Sequence, residues 1–256
     1  MTQFADFACL LADQARSAIS AADPASRNKV EGSGHYDPVT EADLAAEQRM
    51  RALIEAHHPD HGIAGEEFPE RIGAGRFVWS LDPIDGTRAF VCGLPSWTVL
   101  IALLDGGEPV VGLIDSPPMD ERYLGDGAES ILISAGRRKK LATSACRLLC
   151  EARMTTTDPY LFTGARQDGF GRLRSRARLT RYGYDAYGYA RLAAGTVDLV
   201  AESGLKPHDY NALIPVIRGA GGTVGNWSGG EDLSGGDIVA AATRELYDEA
   251  VALLSG

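Results

Sequence analysis

Asp82 and Asp85 stand three residues apart in WSLDPIDGT, the stretch Trp79 to Thr87, where an apolar run gives way to a proline and then a glycine. Phe77, Val78, Trp79 and Leu81 read as a buried strand, and Pro83, with no N–H to donate, is expected to halt its ladder. Both aspartates then sit at the carboxyl end of that strand. A helix beginning near Ile84 would put positions i and i+3 on one face and bring the two carboxylates together. At neutral pH such a pair needs a shared proton or a cation. Gly86 and Thr87 follow at once. Glycine lets the backbone approach a ligand closely, and N–H groups opening a helix suit an anion such as phosphate. The combination reads as a metal beside a phosphoryl group. The plainer alternative is that Asp85 and Thr87 only cap a helix.

Two further acidic groups join this pair. Gly65-Glu66-Glu67 follows the short apolar segment Gly62-Ile63-Ala64, so the glutamates project from the end of another strand, or else occupy a surface loop. Asp209 lies in LKPHD, where Pro207 suits a first helical turn and Asp209 would also complement the helix dipole. A hard cation such as magnesium takes oxygen ligands, and paired sites share bridging carboxylates, a role open to Glu66, Asp82, Asp85 and Asp209. His35, His57, His58, His61 and His208 are scattered and show no zinc-ligand spacing.

The elements that would position these groups follow from periodicity. Phe4, Phe7, Ala8, Leu11, Ala15 and Ala18 predict an amphipathic helix over residues 2 to about 21, ended by Pro24. A second helix starts at Thr40, with Asp43 at the capping-box position, and ends before Pro59. Strands are predicted at 77–82, 97–105, 109–115, 121–124 and 129–134, with Asp105-Gly106-Gly107 as a hairpin turn in an antiparallel sheet. Residues 137–144, RRKKLATS, read as a polar link, dividing the chain into an α+β half, 1–140, and an α/β half, 141–256. The second half alternates strands at 152–157, 178–181, 196–202 and 237–242 with helices near 158–171, 184–195, 207–219 and 243–254.

The chain has 256 residues, 45% of them hydrophobic, and a formal net charge of −10. That balance argues against nucleic acid or an anionic membrane as a partner and suits divalent cations. The alternating arginines Arg172, Arg174, Arg176, Arg178 and Arg181 fit a strand with one solvated face better than a nucleic-acid surface. Cys9, Cys92, Cys146 and Cys150 show no paired zinc spacing and read as reduced thiols of a cytoplasmic protein. No basic, unbroken apolar leader is seen, and no apolar run approaches the roughly 20 residues that span a bilayer.

Taken together, DPVTEAD at 37–43, GEE at 65–67, DPIDGT at 82–87 and Asp209 ahead of GAGG at 219–222 resemble the inositol monophosphatase superfamily over nearly the whole chain. The resemblance implies a layered αβαβα fold, two or three magnesium ions, hydrolysis of a small phosphate monoester, and a homodimer. It assigns metal binding to Glu66, Asp82, Asp85, Asp209 and the Ile84 carbonyl. Asp43 and Thr87 would orient and deprotonate the attacking water, Glu67 would have a secondary catalytic role, and the Gly86 and Thr87 amides would hold the phosphoryl oxygens.

The stretch from Tyr182 to Asp209, YGYDAYGYARLAAGTVDLVAESGLKPHD, is similar to the histidinol-phosphate phosphatase branch, with Asp185 and Glu202 facing the leaving alcohol. Two carboxylates suit a cationic ester better than a neutral polyol. Tyr187 and Tyr189 read as packing. An inositol or sugar phosphatase, or an RNA-associated accessory of the same fold, are the alternatives. Two departures stand out: His208 replaces a common aromatic, and the short, glycine-rich Asn28–Tyr36 region has Lys29 as its only lysine, so the loop lysine that some relatives carry near the metals is expected to be absent or displaced.

Overall fold

The structure, a computed structural model, describes residues 3–22, 26–29 and 38–255. Pro24, His35, Asp37 and most of the Asn28–Tyr36 region therefore lie outside the described residues. Helix α1 (Gln3–Ala21) has the expected apolar stripe: Ala8, Leu11, Ala12 and Ala15 are fully buried. Strands β1 (Ser26–Asn28) and β2 (Pro38–Thr40) pair antiparallel and lead into α2 (Glu41–His57). Thr40 caps α2, and Asp43 closes the capping box by accepting the Thr40 N–H at 2.8 Å.

Strand β3 (Gly62–Gly65) runs parallel to β4 (Phe77–Asp85), the entry to the short helix α3 (Thr87–Val91). Antiparallel neighbours β5 (Thr98–Asp105), β6 (Glu108–Ser116), β7 (Glu121–Gly125), β8 (Ser130–Ser134) and β9 (Arg137–Lys140) complete a seven-stranded sheet in chain order. The RRKK segment is thus an exposed edge strand, and the connection to the next sheet begins after it. Four consecutive cations on an open edge discourage pairing with another strand.

A second sheet holds β10 (Arg153–Thr156), β11 (Leu179–Tyr182), β12 (Leu199–Glu202), β13 (Thr223–Asn226) and β14 (Ile238–Ala241), in the order β11-β10-β12-β14-β13. Helix α4 (Ala165–Arg176) begins later than the sequence suggests, because Asp158 caps only a single 3-10 turn, Pro159–Leu161. Arg172, Arg174 and Arg176 consequently lie on a helix, which corrects their reading as a strand. Helix α5 (Asp185–Ala193) crosses between the sheets. The single helix expected over 207–219 is two, α6 (Pro207–Tyr210) and α7 (Leu213–Gly219). Pro215 supplies the reason: it has no N–H for the Asn211 carbonyl, and its ring crowds that turn. Strand β13 was not anticipated; four residues including a glycine carry too little pattern. Helix α8 (Arg244–Leu254) closes the described chain.

Three apolar cores give the layering. Helices α1 and α2 cover one face of the seven-stranded sheet through Met50, Ile54, Trp79 and Ile101. Its other face meets α5 and α7, which also contact the second sheet through Val200 and Ala240. The far side of that sheet packs on α4 and α8 through Leu173, Leu199 and Leu246. The order is αβαβα, as the sequence resemblance implied.

Candidate active site

The convergence of Asp82 and Asp85 has a different cause from the one their spacing suggested. Strand β4 does not stop at Pro83; it continues to Asp85 through a bulge, with Asp82 opposite Leu100 and Asp85 opposite Thr98. Three residues on β4 thus span two on β5. In a regular strand an offset of three reverses the face, and the extra residue restores it. No helix is needed, since α3 begins only at Thr87. Asp209, on the first turn of α6, completes a group in which one oxygen from each of Asp82, Asp85 and Asp209 lies within 4.8 Å of the others.

Glu66 joins from the end of β3. It lies within hydrogen-bonding reach of Asp82, and its Oε1 is 2.6 Å from Lys29 Nζ. Lys29 also contacts Glu67 Oε1 at 2.8 Å, so the loop lysine is present in the site. His208 Nε2 stands 3.4 Å from Asp209 Oδ1 and 4.0 Å from Glu66 Oε1.

These carboxylates are held against their own electrostatics. Burial, then repulsion from Glu66, Asp85 and Asp209, pushes Asp82 well above the ordinary aspartate range. Burial and the nearby Asp185 and Asp209 do the same to Asp85, against the Ala186 N–H that Oδ2 accepts at 2.7 Å. Burial raises Asp209 despite His208. Glu66 alone of the four falls below its usual value, because Lys29 more than offsets its burial. Burial places Glu67 at about 7.

Each remaining sequence-predicted residue has a definite place. Asp43 is fully buried; its Oδ2 caps α2, while Oδ1 has no hydrogen-bond partner, and burial raises its pKa. Thr87 Oγ1 donates to the Ile84 carbonyl at 2.9 Å, leaving that oxygen a second lone pair. Gly86 adopts φ 83°, a left-handed conformation that favours glycine, and a Cβ there would press on Asp185 Oδ2 at 3.1 Å. A cavity of about 520 Å³ runs from Asp85, Gly86 and Thr87 to Asp185 and Glu202. Glu202 is pushed up to about 8 chiefly by burial, and Asp185 to about 6 by burial, the latter despite Thr157 and Arg88. Tyr189 is buried as expected, but it also lines this cavity and its hydroxyl has no hydrogen-bond partner.

Sequence reasoning missed two supports. Glu47 on α2 accepts the Glu67 N–H at 2.8 Å and pairs with Arg51 at 2.7 Å. A Cβ on Gly65 would fall 2.0 Å from Glu47 Oε1, so the glycine of GEE is the sequence signal for that close approach. Thr157, which follows β10 directly, donates to Glu202 from both its N–H and its hydroxyl. The histidines are less scattered than they looked: the His58 and His61 rings stack at 4.6 Å beside Phe4, and Trp79 Nε1–H donates to His61 Nδ1. They form an aromatic cluster, with burial lowering both pKa values.

The family profile for the "Inositol monophosphatase family" matches residues 1–255. The chain belongs to the inositol monophosphatase family, a family of phosphatases. It is 42% identical over 230 residues to the bifunctional phosphatase IMPL2, chloroplastic, of Arabidopsis thaliana, covering 84% of this chain and 64% of that protein. The chain thus spans somewhat under two thirds of that relative. It is 34% identical to a histidinol-phosphatase of Mycobacterium tuberculosis, over 85% of each. The structure of an inositol monophosphatase from Zymomonas mobilis superposes with a TM-score of 0.85 at 36% identity over the full length of both chains. Among the described residues no helix is long and apolar enough to cross a membrane.

The donor set fits magnesium: oxygens only among the described residues, crowded, with Lys29 against Glu66. Asp82→Asn should remove a destabilising charge, so the metal-free variant melts no lower than the wild type. Magnesium at 100 times its Kd adds about 2.7 kcal/mol, or roughly 5–10 °C, to the wild type and little to the variant. Equal magnesium-induced shifts in a thermal melt would rule out Asp82 as a ligand. Glu202 gives a second test. Its folded-state pKa, about 8, lies above the ordinary 4.5, so its contribution to stability is complete below about pH 4.5 and is lost as pH climbs through 8. In chelator, Glu202→Gln should match the wild type near pH 5 and melt several degrees higher at pH 9; parallel curves would contradict the raised value.

Proposed function

We propose that this chain is a magnesium-dependent phosphomonoesterase that hydrolyses L-histidinol phosphate to L-histidinol and phosphate. Glu66, Asp82, Asp85, Asp209 and the Ile84 carbonyl would hold two or three ions. Magnesium, when bound, neutralises phosphoryl charge and makes water more acidic. The chain's own groups do the rest. Gly86 and Thr87 bring backbone N–H groups to the phosphoryl oxygens, the type of contact that gains strength as charge develops on them. Asp43 offers a buried oxygen, raised in basicity and free of partners, to take the proton of the attacking water, with Thr87 orienting that water and Glu67 assisting. Water adds to phosphorus as the ester oxygen departs and takes up a proton to leave as the alcohol.

One observation favours a cationic ester. Asp185 and Glu202 line the same cavity as the phosphate-side residues, both held toward their neutral forms by burial, so the leaving-group arm offers two carboxyls that a nearby cation would ionise. Arg88 and Arg166 also line the cavity, but Arg166 is paired with Asp237 at 2.8 Å. An ammonium group draws both carboxyls into their charged forms, which a neutral polyol does not. The histidinol-phosphatase relative supports this reading. A second reading, inositol phosphate hydrolysis, is favoured by the protonated state of Glu202 at neutral pH, which could donate to a hydroxyl, and by the Zymomonas structure.

Phosphate release from the two esters in one magnesium buffer separates these readings. Histidinol phosphate should give a kcat/KM at least about tenfold above that for inositol 1-phosphate, the factor worth about 1.4 kcal/mol. The reverse order would select the second reading.

A further inference from the structure

Asp185 and Glu202 reach the cavity from separate elements, the start of α5 and the end of β12. One residue touches the setting of both. Thr157 leaves β10, which lies beside β12 in the sheet. Its N–H donates to Glu202 Oε1 at 2.7 Å, and its hydroxyl donates to the same oxygen at 3.1 Å. Its carbonyl accepts the Gly183 N–H at 2.9 Å, two residues before Asp185. Its hydroxyl also acts on the Asp185 carboxylate, opposing the effect of burial there.

The backbone around Asp185 needs such a hold. Asp185 has φ 44°, a left-handed conformation that a non-glycine residue adopts at a cost, and such strain persists only where neighbours over-determine it. Gly183 before it is also left-handed, at φ 85°. The Thr157 carbonyl fixes this turn on one side, and Asp85, through the Ala186 N–H, fixes it on the other. Thr157 itself lines the cavity with both carboxylates.

We propose that Thr157 is a specificity-positioning residue: it ties Asp185 and Glu202 into one two-carboxylate clamp for the positively charged part of the leaving alcohol. The inference rests on the cationic-ester reading and deepens it. The hydroxyl has a single proton, so it can serve either carboxylate but not both at once. While the hydroxyl serves Glu202, Asp185 goes without it, and an ammonium group with three N–H donors can bond Asp185 and draw Glu202 into its charged form. A neutral alcohol has no comparable use for the arrangement, so its binding depends less on Thr157.

The test compares wild type, Thr157→Val and Thr157→Ser on L-histidinol phosphate and on the matched ester lacking the amine, at saturating magnesium. Loss of a hydrogen bond to a charged group should raise KM for histidinol phosphate about tenfold or more in Thr157→Val, with kcat changed less than about threefold. KM for the deaminated ester should change less than about twofold, and Thr157→Ser should restore discrimination. Should the valine variant melt early, Thr157→Ala removes the hydroxyl without adding a buried methyl and is read the same way. Equal rises in both KM values, or a serine variant as impaired as the valine one, would overturn the role of Thr157 and leave the substrate reading standing. A wild type that does not distinguish the two esters would remove the cationic-ester reading, and the clamp with it.

Discussion

Everything about this site depends on carboxylates gathered closer than their charge allows. Asp82, Asp85 and Asp209 converge to within 4.8 Å, with Glu66 beside them. Without a cation such a cluster must bind protons or push apart, and burial sharpens the choice because screening is weaker inside the protein. The chain answers in part with Lys29 and His208, placed against Glu66 and Asp209. The rest of the fold acts as a frame that prevents the acids from separating. Asp82 and Asp85 are fixed by a bulge in the seven-stranded sheet, Glu66 by the end of its neighbour, and Asp209 by a helical turn whose Lys206 N–H bonds its Oδ2 at 2.7 Å.

The same logic extends outward along the cavity. Ala186 donates to Asp85 from the turn that also carries Asp185, so the acidic cluster and Asp185 share one piece of backbone. Helix α5 lies between the two sheets, and its position is set further back by Glu121 of β7, which accepts from the Tyr187 hydroxyl at 3.1 Å and from Arg191. Asp185, the proposed contact to the leaving alcohol, is thereby placed relative to the groups proposed to handle the phosphoryl end. Positioning of this kind matters because misplacement by an ångström can cost a large part of the rate.

Much of this was legible in the sequence, for identifiable reasons. The α1 and α2 faces and the hairpin at 105–107 follow from strong periodicity and turn chemistry, and Thr40 with Asp43 forms a capping box that local rules describe well. The identity of the acidic cluster was readable because its members share a chemistry, although they come from β3, β4 and α6. Its cause was not: a bulge is a relation between two strands, and β4 alone does not show that Asp82 to Asp85 will span Leu100 to Thr98. The break at Pro215 was visible as a proline, but the apolar stripe of Leu213, Val216 and Ile217 masked it. The place of Lys29 and the roles of Glu47 and Thr157 were hidden for a common reason. Each acts through a partner distant in the chain, 37, 20 and 45 residues away in the cases of Glu66, Glu67 and Glu202.

The most direct test of the central claim is anomalous diffraction from crystals grown with manganese in place of magnesium, an ion of similar ligand preference that can be located by its scattering. The account predicts at least one strong peak among the carboxylate oxygens of Asp82, Asp85 and Asp209, with Glu66 turned to share in the coordination. Absence of any peak there at saturating manganese, with the three carboxylates still converged, would show that the cluster is held by protons and Lys29 alone.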